Sequence, residues 1–340
     1  MFVIGIDPHR GSHTAAVLDG TEELLDEFRV VADRRQRQRL LEWAAPFMPR
    51  VWAVEGATGT RALLAQQLVA AGEQVLDVPP TLSARVRLLD SGRSDKTDSH
   101  DARAVAVVAL RHRSLWPVRA EDEDHVAVLR LLAKRHHDLV AARTRAVCRL
   151  HTTLCHLAEG HFPKRMKASQ AAAILARIRP SVPVSVERKA LARDLLGEIR
   201  RVDRDLAGLV ARIKTAATAS GTTVTDVFGV GPVVAAYLIG HSGDIRRFPT
   251  AGHYARYNGT APIQASSGPT TRHRLNPRGN RQLNHALHMA AVTQVRNDTP
   301  GRAYYLRKQA AGHSRKEAIR ALKRRISDAV YRQLVADSHR

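Results

Sequence analysis

Short apolar runs fill the first third of this 340-residue chain, and apolar residues at helical spacing fill most of the remainder. Strand side chains alternate between two faces and helical ones recur every three or four residues, so the two patterns demand different elements. The chain therefore reads as an α/β part followed by α parts.

In the first part, Phe2 to Ile6 is an apolar run with β-branched members that ends at Asp7. His13 to Leu18 reads as a second strand, Asp19-Gly20 as a hairpin turn, and Glu22 to Val31 as a third strand. A helix is expected near Asp33 to Phe47, then a buried strand from Val51 to Val54 with Glu55 at its end and a turn from Gly56 to Thr60. Arg61 to Ala71 reads as helix, Gln74 to Val78 as strand, and Asp98 to Arg111 as a helix rich in alanine and valine. Three antiparallel strands followed by alternating helices and strands describe a mixed-sheet α/β domain, in the order of an RNase H-like fold.

From Glu121 to about Ser220 glycines are few, and two apolar series run at helical spacing. One is Val126, Leu129, Ala133, His137, Val140 and Thr144; the other runs from Leu191 and Leu195 through Ile199, Val202, Leu206 and Leu209 to Ile213. Two long helices broken near Pro180 to Pro183 predict either an antiparallel coiled-coil arm or an ordinary helical bundle. The last third opens on Val227-Phe228-Gly229-Val230-Gly231-Pro232 and an apolar helix from Val233 to Gly240, which together resemble a helix-hairpin-helix element. Such a hairpin contacts backbone phosphate through its amides without reading sequence. A polar loop from Asn258 to Asn280 follows, then helices near Arg281 to Arg296, Gly301 to Ala311 and Lys316 to Leu334. The expected division is 1–118, 119–220 and 221–340.

Charge sharpens this division. The formal net charge is +22, yet residues 1–120 carry 16 basic and 15 acidic side chains. Residues 121–220 carry 19 and 11, and residues 221–340 carry 19 and 6. An excess of that size calls for a polyanionic partner, because each neutralised phosphate releases counterions. Aromatics make up only 4% of the chain, too few for a base-stacking platform, so backbone and shape are the expected means of grip. With two cysteines and no apolar stretch long enough to span a bilayer, the expectation is a cytoplasmic, nucleoid-associated protein. Cys148, His151 and Cys155 share one helical face; a buried seam of the arm is the expected role, since one helix offers poor tetrahedral geometry for zinc.

Four acids of the balanced first third stand at element ends. Asp7 follows the first strand, Glu55 follows the fourth, and Asp98 and Asp101 lie three residues apart at the start of a helix. Converging carboxylates repel unless a cation neutralises them, and hard oxygen donors select Mg²⁺ or Mn²⁺. Two such ions can clamp both oxygens of a phosphoryl displacement. Each acid also has a structural role open to it: Asp98 as helix cap, Asp101 as complement to the helix dipole, Glu55 as partner of an arginine, Asp7 as turn former before Pro8. Asp95 stands close enough in sequence to be a further ligand.

The motifs that carry these acids are Gly5-Ile6-Asp7, Val54-Glu55-Gly56-Ala57-Thr58-Gly59 and Lys96-Thr97-Asp98-Ser99-His100-Asp101-Ala102. Asp244-Ile245-Arg246-Arg247-Phe248, Gly259-Thr260-Ala261-Pro262, Ser266-Ser267-Gly268 and Asn276-Pro277-Arg278-Gly279-Asn280 follow later. In order and spacing they resemble the DEDD transposases of bacterial insertion sequences, specifically the one-ten insertion-sequence family. The likeness covers roughly residues 2–115 and 225–311. It departs at Leu275-Asn276-Pro277-Arg278, where a turn richer in lysine or containing serine is expected.

The resemblance implies an RNase H-like (RuvC-like) domain whose Asp7, Glu55, Asp98 and Asp101 bind Mg²⁺. It also implies a mainly helical C-terminal domain whose serine becomes covalently linked to a DNA phosphate. Aligning the loop puts this nucleophile at Ser267, with Ser266 as runner-up. A structured guide RNA from the element's non-coding end and assembly as a homo-oligomer, dimer or tetramer, are implied as well. The residues of the loop agree: a serine hydroxyl needs activation, and Arg272, Arg274, Arg278 and Arg281 flank it as candidate nucleic-acid contacts. Two other functions fit the same residues less fully. One is a Holliday-junction nuclease using metal-activated water; the other is a nucleic-acid-binding protein whose acids are structural.

Overall fold

The computed structural model describes residues 1–57, 62–91, 97–112, 115–118, 124–160, 162–163, 166–264, 273–274, 276 and 279–339. They form two compact units, 1–122 and 123–340.

The first unit is built on one mixed sheet. β1 (Phe2–Pro8), β2 (Ser12–Leu18) and β3 (Leu24–Val31) form an antiparallel meander. After α1 (Gln36–Trp43), β4 (Arg50–Glu55) pairs parallel with β1; after α2 (Ala62–Val69), β5 (Val75–Val78) pairs parallel with β4. Next come α3 (Pro80–Ser91) and α4 (Asp98–Arg111), and then β6 (Trp116–Pro117), which pairs antiparallel with β5. The strand order is β3-β2-β1-β4-β5-β6, the arrangement expected of an RNase H-like sheet. Every strand expected from the sequence forms; α3 and β6 are additions.

Alternation along the strands separates two cores. Ile4, Ile6, Trp52 and Val54 pack with Leu40 of α1 and Leu64 and Leu68 of α2. Val3, Ala53 and Val78 face the other way, against Val105 and Ala106 of α4. Gly5 lies on this second face because α4 crosses directly over it. A Cβ at Gly5 would stand 2.2 Å from the Ala102 carbonyl oxygen and 2.5 Å from the Ala106 nitrogen. The missing side chain brings the α4 backbone against β1, and so fixes where its first turn ends up.

The second unit is helical. α5 (Asp124–Cys155) and α7 (Pro183–Ala219) are roughly 48 and 55 Å long, at 1.5 Å per residue. Arg143 pairs with Asp203, and Arg188 donates to the His156 carbonyl, so the two helices run antiparallel. Two features differ from the expected arm. Between the long helices stands α6 (Ala168–Arg177), and Pro183 opens α7 in its first turn, where a missing N–H costs nothing. Along α5 the buried face is Leu129, Leu132, Ala133 and Leu139, while His137 and Val140 are exposed.

At its outer end the arm closes around Val147, Leu150 and Leu154 with Leu175 of α6 and Leu196 of α7. Cys148 and Cys155 point outward and are exposed, so the seam expected to bury them is formed by their apolar neighbours instead. His151 meets the Phe162 carbonyl at 3.2 Å. At its base the pair shares one core with the later helices: Leu129, Leu209 and Ile213 belong to the same cluster as Leu238, Leu287 and Val330. Those helices are α8 (Pro232–Ser242), α9 (Ala251–Tyr257), α10 (Arg281–Arg296), α11 (Pro300–Ala310) and α12 (Arg315–Asp337). Between α9 and α10 lie two short paired strands, β7 (Ile263–Gln264) and β8 (His273–Arg274). No helix among the described residues is long and apolar enough to cross a membrane.

The Gly5 crossing sets a stability test. Gly5→Ala should destabilise the first unit by about 1–3 kcal/mol, the usual cost of forcing atoms into a packed core. Gly208→Ala, in an exposed turn of α7 with open space around it, should stabilise by up to about 1 kcal/mol. Denaturant midpoints that shift equally for the two variants would contradict the crossing.

Candidate active site

The second face of the sheet, which α4 covers, also carries the acids. Asp7 and Glu55 each stand one residue beyond the parallel pair Ile6 and Val54, and so share the face of Gly5 and Ala53. Asp7 is therefore a strand residue 2% exposed, and not the turn former that Pro8 suggested. The seating of α4 over Gly5 through Ala102 and Ala106 brings the preceding turn, with Asp98 and Asp101, beside it.

Neither acid of that turn is its cap. Thr97 holds the cap position, its hydroxyl accepting from the His100 amide. This leaves Asp98, half-buried, to face Asp7 across an imidazole: His9 Nε2 is 2.9 Å from Asp7 Oδ2 and 3.3 Å from Asp98 Oδ1. One ligand atom from each of the three residues lies within 4.8 Å of the others. The His9 Nε2 is buried, yet makes no directed hydrogen bond to either oxygen. The three donor atoms thus stand close enough together to share one cation. The two carboxylates with a nitrogen ligand fit a divalent cation, as hard oxygen donors require.

Glu55 and Asp101 are placed by α3. Ser83 and Arg87 lie one helical turn apart; the Ser83 hydroxyl donates to Glu55 Oε1, and Arg87 Nη1 donates to Asp101 Oδ1 at 2.6 Å. Glu55 is 8% and Asp101 2% exposed, and burial at that level demands such partners. The structure therefore brings Asp7 and Asp98 to either side of His9, while Glu55 and Asp101 are held by side chains of α3. Arg29 adds positive charge at the rim, its guanidinium 3.8 Å from Asp98 Oδ2. It stands in register with Asp7 through Thr14. Asp95 lies outside the described residues.

Sequence reasoning passed over His9, Ser83 and Arg87. His9 had a signal: it is two residues after Asp7, and so returns to the same face at a strand end. Ser83 and Arg87 had none without α3.

Ser266 and Ser267, with Arg272 and Arg278, fall outside the described residues. The ends of their segment are well defined. Gly259, at φ +74°, is crossed by Gly279 so closely that a Cβ on Gly279 would stand 2.4 Å from the Gly259 Cα. The Asn280 side chain caps α10 by accepting from the Gln282 and Leu283 amides, and the Asn280 backbone N–H donates to the Tyr257 carbonyl. Gly259 and Gly279 thus meet at one place, with Arg274 in β8 and Arg281 exposed at the start of α10.

Comparison with known proteins falls on both units. A family model described as "Transposase" matches residues 4–158, and one described as "Transposase IS116/IS110/IS902 family" matches residues 221–306. An uncharacterized 44.8 kDa protein of insertion element IS116 from Streptomyces clavuligerus is 29% identical, over 97% of this chain and 94% of its own. An uncharacterized 42 kDa protein of IS900 from Mycobacterium paratuberculosis is 26% identical over the same shares. Among solved structures, RuvC of Thermus thermophilus is 19% identical and matches 35% of this chain and 100% of its own, with a TM-score of 0.27. The two family models together take in well over half of the sequence, the relatives align almost end to end, and the chain belongs to the IS110 family of insertion-sequence transposases.

Proposed function

We propose that the chain cuts and rejoins DNA strands for its insertion element through a phosphoserine intermediate, with a divalent cation, Mg²⁺ or Mn²⁺, held by Asp7, Glu55, Asp98 and Asp101. The convergence of Asp7, His9 and Asp98 is the observation that most supports it. Glu55 and Asp101, here bonded to Ser83 and Arg87, would complete the set that holds the ion. The cation would supply a Lewis acid that stabilises charge on the phosphate oxygens.

The remaining steps belong to the chain. Ser267 Oγ attacks the scissile phosphorus, its proton leaving to solvent or a base; one P–O bond forms and the bond to the leaving strand hydroxyl breaks. That hydroxyl takes up a proton. In the second half, a hydroxyl of the incoming strand attacks the phosphoserine and Ser267 is released, so no nucleotide is consumed. Arg272, Arg274, Arg278 and Arg281 hold the phosphate and its developing charge. The hairpin ahead of α8 offers backbone amides to a further phosphate. A structured element-encoded RNA directs the choice of DNA, and the protein works as a homo-oligomer.

Wild-type protein with DNA and a divalent cation should give a covalent adduct on a denaturing gel, and chelation should abolish it. Asp98→Asn, close in volume but one charge short, should lower adduct formation on the order of 10²- to 10³-fold with an unchanged circular dichroism spectrum. Ser267→Ala should give no adduct while Ser266→Ala still does. Cleavage of branched DNA by Ser267→Ala at the wild-type rate would instead support attack by water.

The acids and the serine lie on separate units, so we propose further that a complete site draws on two subunits. A mixture of Asp7→Asn and Ser267→Ala proteins should then recover part of the cleavage that each lacks alone. Confirmed mixed oligomers that never form adducts would place both parts within one chain.

A further inference from the structure

On the second unit, α10, α11, α12 and the turn after α9 enclose a cavity of about 940 Å³. Its wall is one-sided in charge. Arg281 and His288 from α10 line it, as do Arg320, Lys323 and Arg325 from α12. The one acid among its described residues, Asp328, is already paired with Arg324. Among the described residues no carboxylate pairs with Arg281, Arg320, Lys323 or Arg325.

Lys323 is the unusual member. It is only 9% exposed, and its Nζ donates to the Asn284 side-chain oxygen at 2.5 Å. The other end of the Asn284 amide donates to the Asn258 carbonyl, so this acceptor is fixed in place. Burial, and then Arg320, push the Lys323 ammonium down to about 8. Burial, and then Lys323 itself, hold His288 below the usual imidazole range. Crowding cations around a buried lysine costs free energy that a bound anion offsets. The volume lies in the upper part of the roughly 300–1,000 Å³ of ligand sites, too large for a lone ion. At the mouth Arg325 lies over the Tyr304 ring, 5.5 Å from its centroid, an arrangement that also accepts a base.

The position of the cavity points to its occupant. Pro262, which leads into β7, and Asn276, which follows β8, both line it, so described residues on both sides of the serines in sequence stand at its rim. We propose that this cavity is a phosphodiester-binding site of the second unit, distinct from the carboxylate cluster, with Lys323 as its inner cation and Arg320 and Arg325 at its mouth. The inference rests on the transposase reading only in taking the anion to be a nucleic-acid strand.

The test is binding of full-length protein to fluorescent single-stranded oligonucleotides, one DNA and one RNA, in chelator so that no cleavage intervenes. Lys323→Met should weaken binding about ten- to a hundredfold, as expected for a charge-assisted contact, and make the salt dependence shallower by about 0.7 per phosphate lost. Lys214→Met, the same change on an exposed position of α7, should stay within about twofold of wild type. Equal losses on both polymers assign the site to the phosphodiester itself, and a loss on one alone assigns it to that polymer. If Lys323→Met fails to fold, Arg320→Gln/Arg325→Gln, at exposed positions, carries the same expectation. Unchanged affinity and salt slope in a folded Lys323→Met, or in the double variant where Lys323→Met does not fold, overturn the proposal. A protein that cleaves DNA but ignores these cations keeps the transposase reading and loses the site; one that binds through them and never cleaves does the reverse.

Discussion

The contact between α4 and β1 at Gly5 is the constraint on which the acidic site depends. Any side chain at that position would push α4 off the sheet, and the turn that carries Asp98 and Asp101 would move with it. Close packing makes this seating stiff, because interiors have few voids into which a displaced backbone can relax. The same seam is filled on either side by Val3, Ala53, Val105 and Ala106. The position of Asp98 relative to Asp7 is thus an outcome of core packing. The acids themselves oppose it: two carboxylates brought together repel, and burying Asp7 removes the water that would screen it. His9 stands between them, its Nε2 2.9 Å from Asp7 and 3.3 Å from Asp98, so that all three could share one divalent cation that neutralises the pair.

Much of this was legible in the residues, and what was not has identifiable causes. Strands announced themselves because short β-branched runs end at turn residues, and the run from Phe2 led directly to Asp7. Asp98 and Asp101 share a face by spacing alone. No element was assigned from the sequence between Val78 and Asp98, where α3 forms with Pro80 in its first turn, a position at which proline is tolerated. With α3 went the partners of Glu55 and Asp101, which come from 28 and 14 residues away. The arm shows the other kind of limit. Its helices were evident, but a list of apolar residues three and four apart fits more than one helical stripe, and packing against α7 and α8 selected Leu132 and Leu139 over His137 and Val140. The cysteines were misjudged for the same reason, a face being assigned by spacing without knowing which neighbours it meets.

The uneven charge along the chain corresponds to two kinds of site. In the first unit basic and acidic residues balance, and two of its buried acids are individually matched, Asp101 to Arg87 and Glu55 to Ser83. In the second unit the excess of arginine and lysine is not consumed by internal pairs, and part of it is collected around one cavity. A folded protein gains nothing from gathering like charges unless a ligand of opposite sign shares the cost. On the proposed reading the two units would serve different parts of one substrate, the acids the reacting phosphate and the cationic cavity another phosphate of the strand.

On the proposed reading this separation has a kinetic consequence. A serine permanently beside an activating cation would attack any phosphodiester that reached it, and water would compete for the phosphoserine. Keeping the acids on one unit and the hydroxyl on another makes reaction conditional on a geometry that neither unit supplies, with reacting atoms about 3–3.5 Å apart. The Gly259–Gly279 crossing suits such an arrangement, because it fixes the root of the serine-bearing segment. Binding energy from phosphates at the cationic cavity can then be spent on bringing the hydroxyl to the cation, which raises the rate of the chemical step instead of merely tightening the complex. A recombinase has particular need of this. Strand exchange must conserve the energy of each phosphodiester it breaks, so the covalent link should form only when the strand that will resolve it is already held.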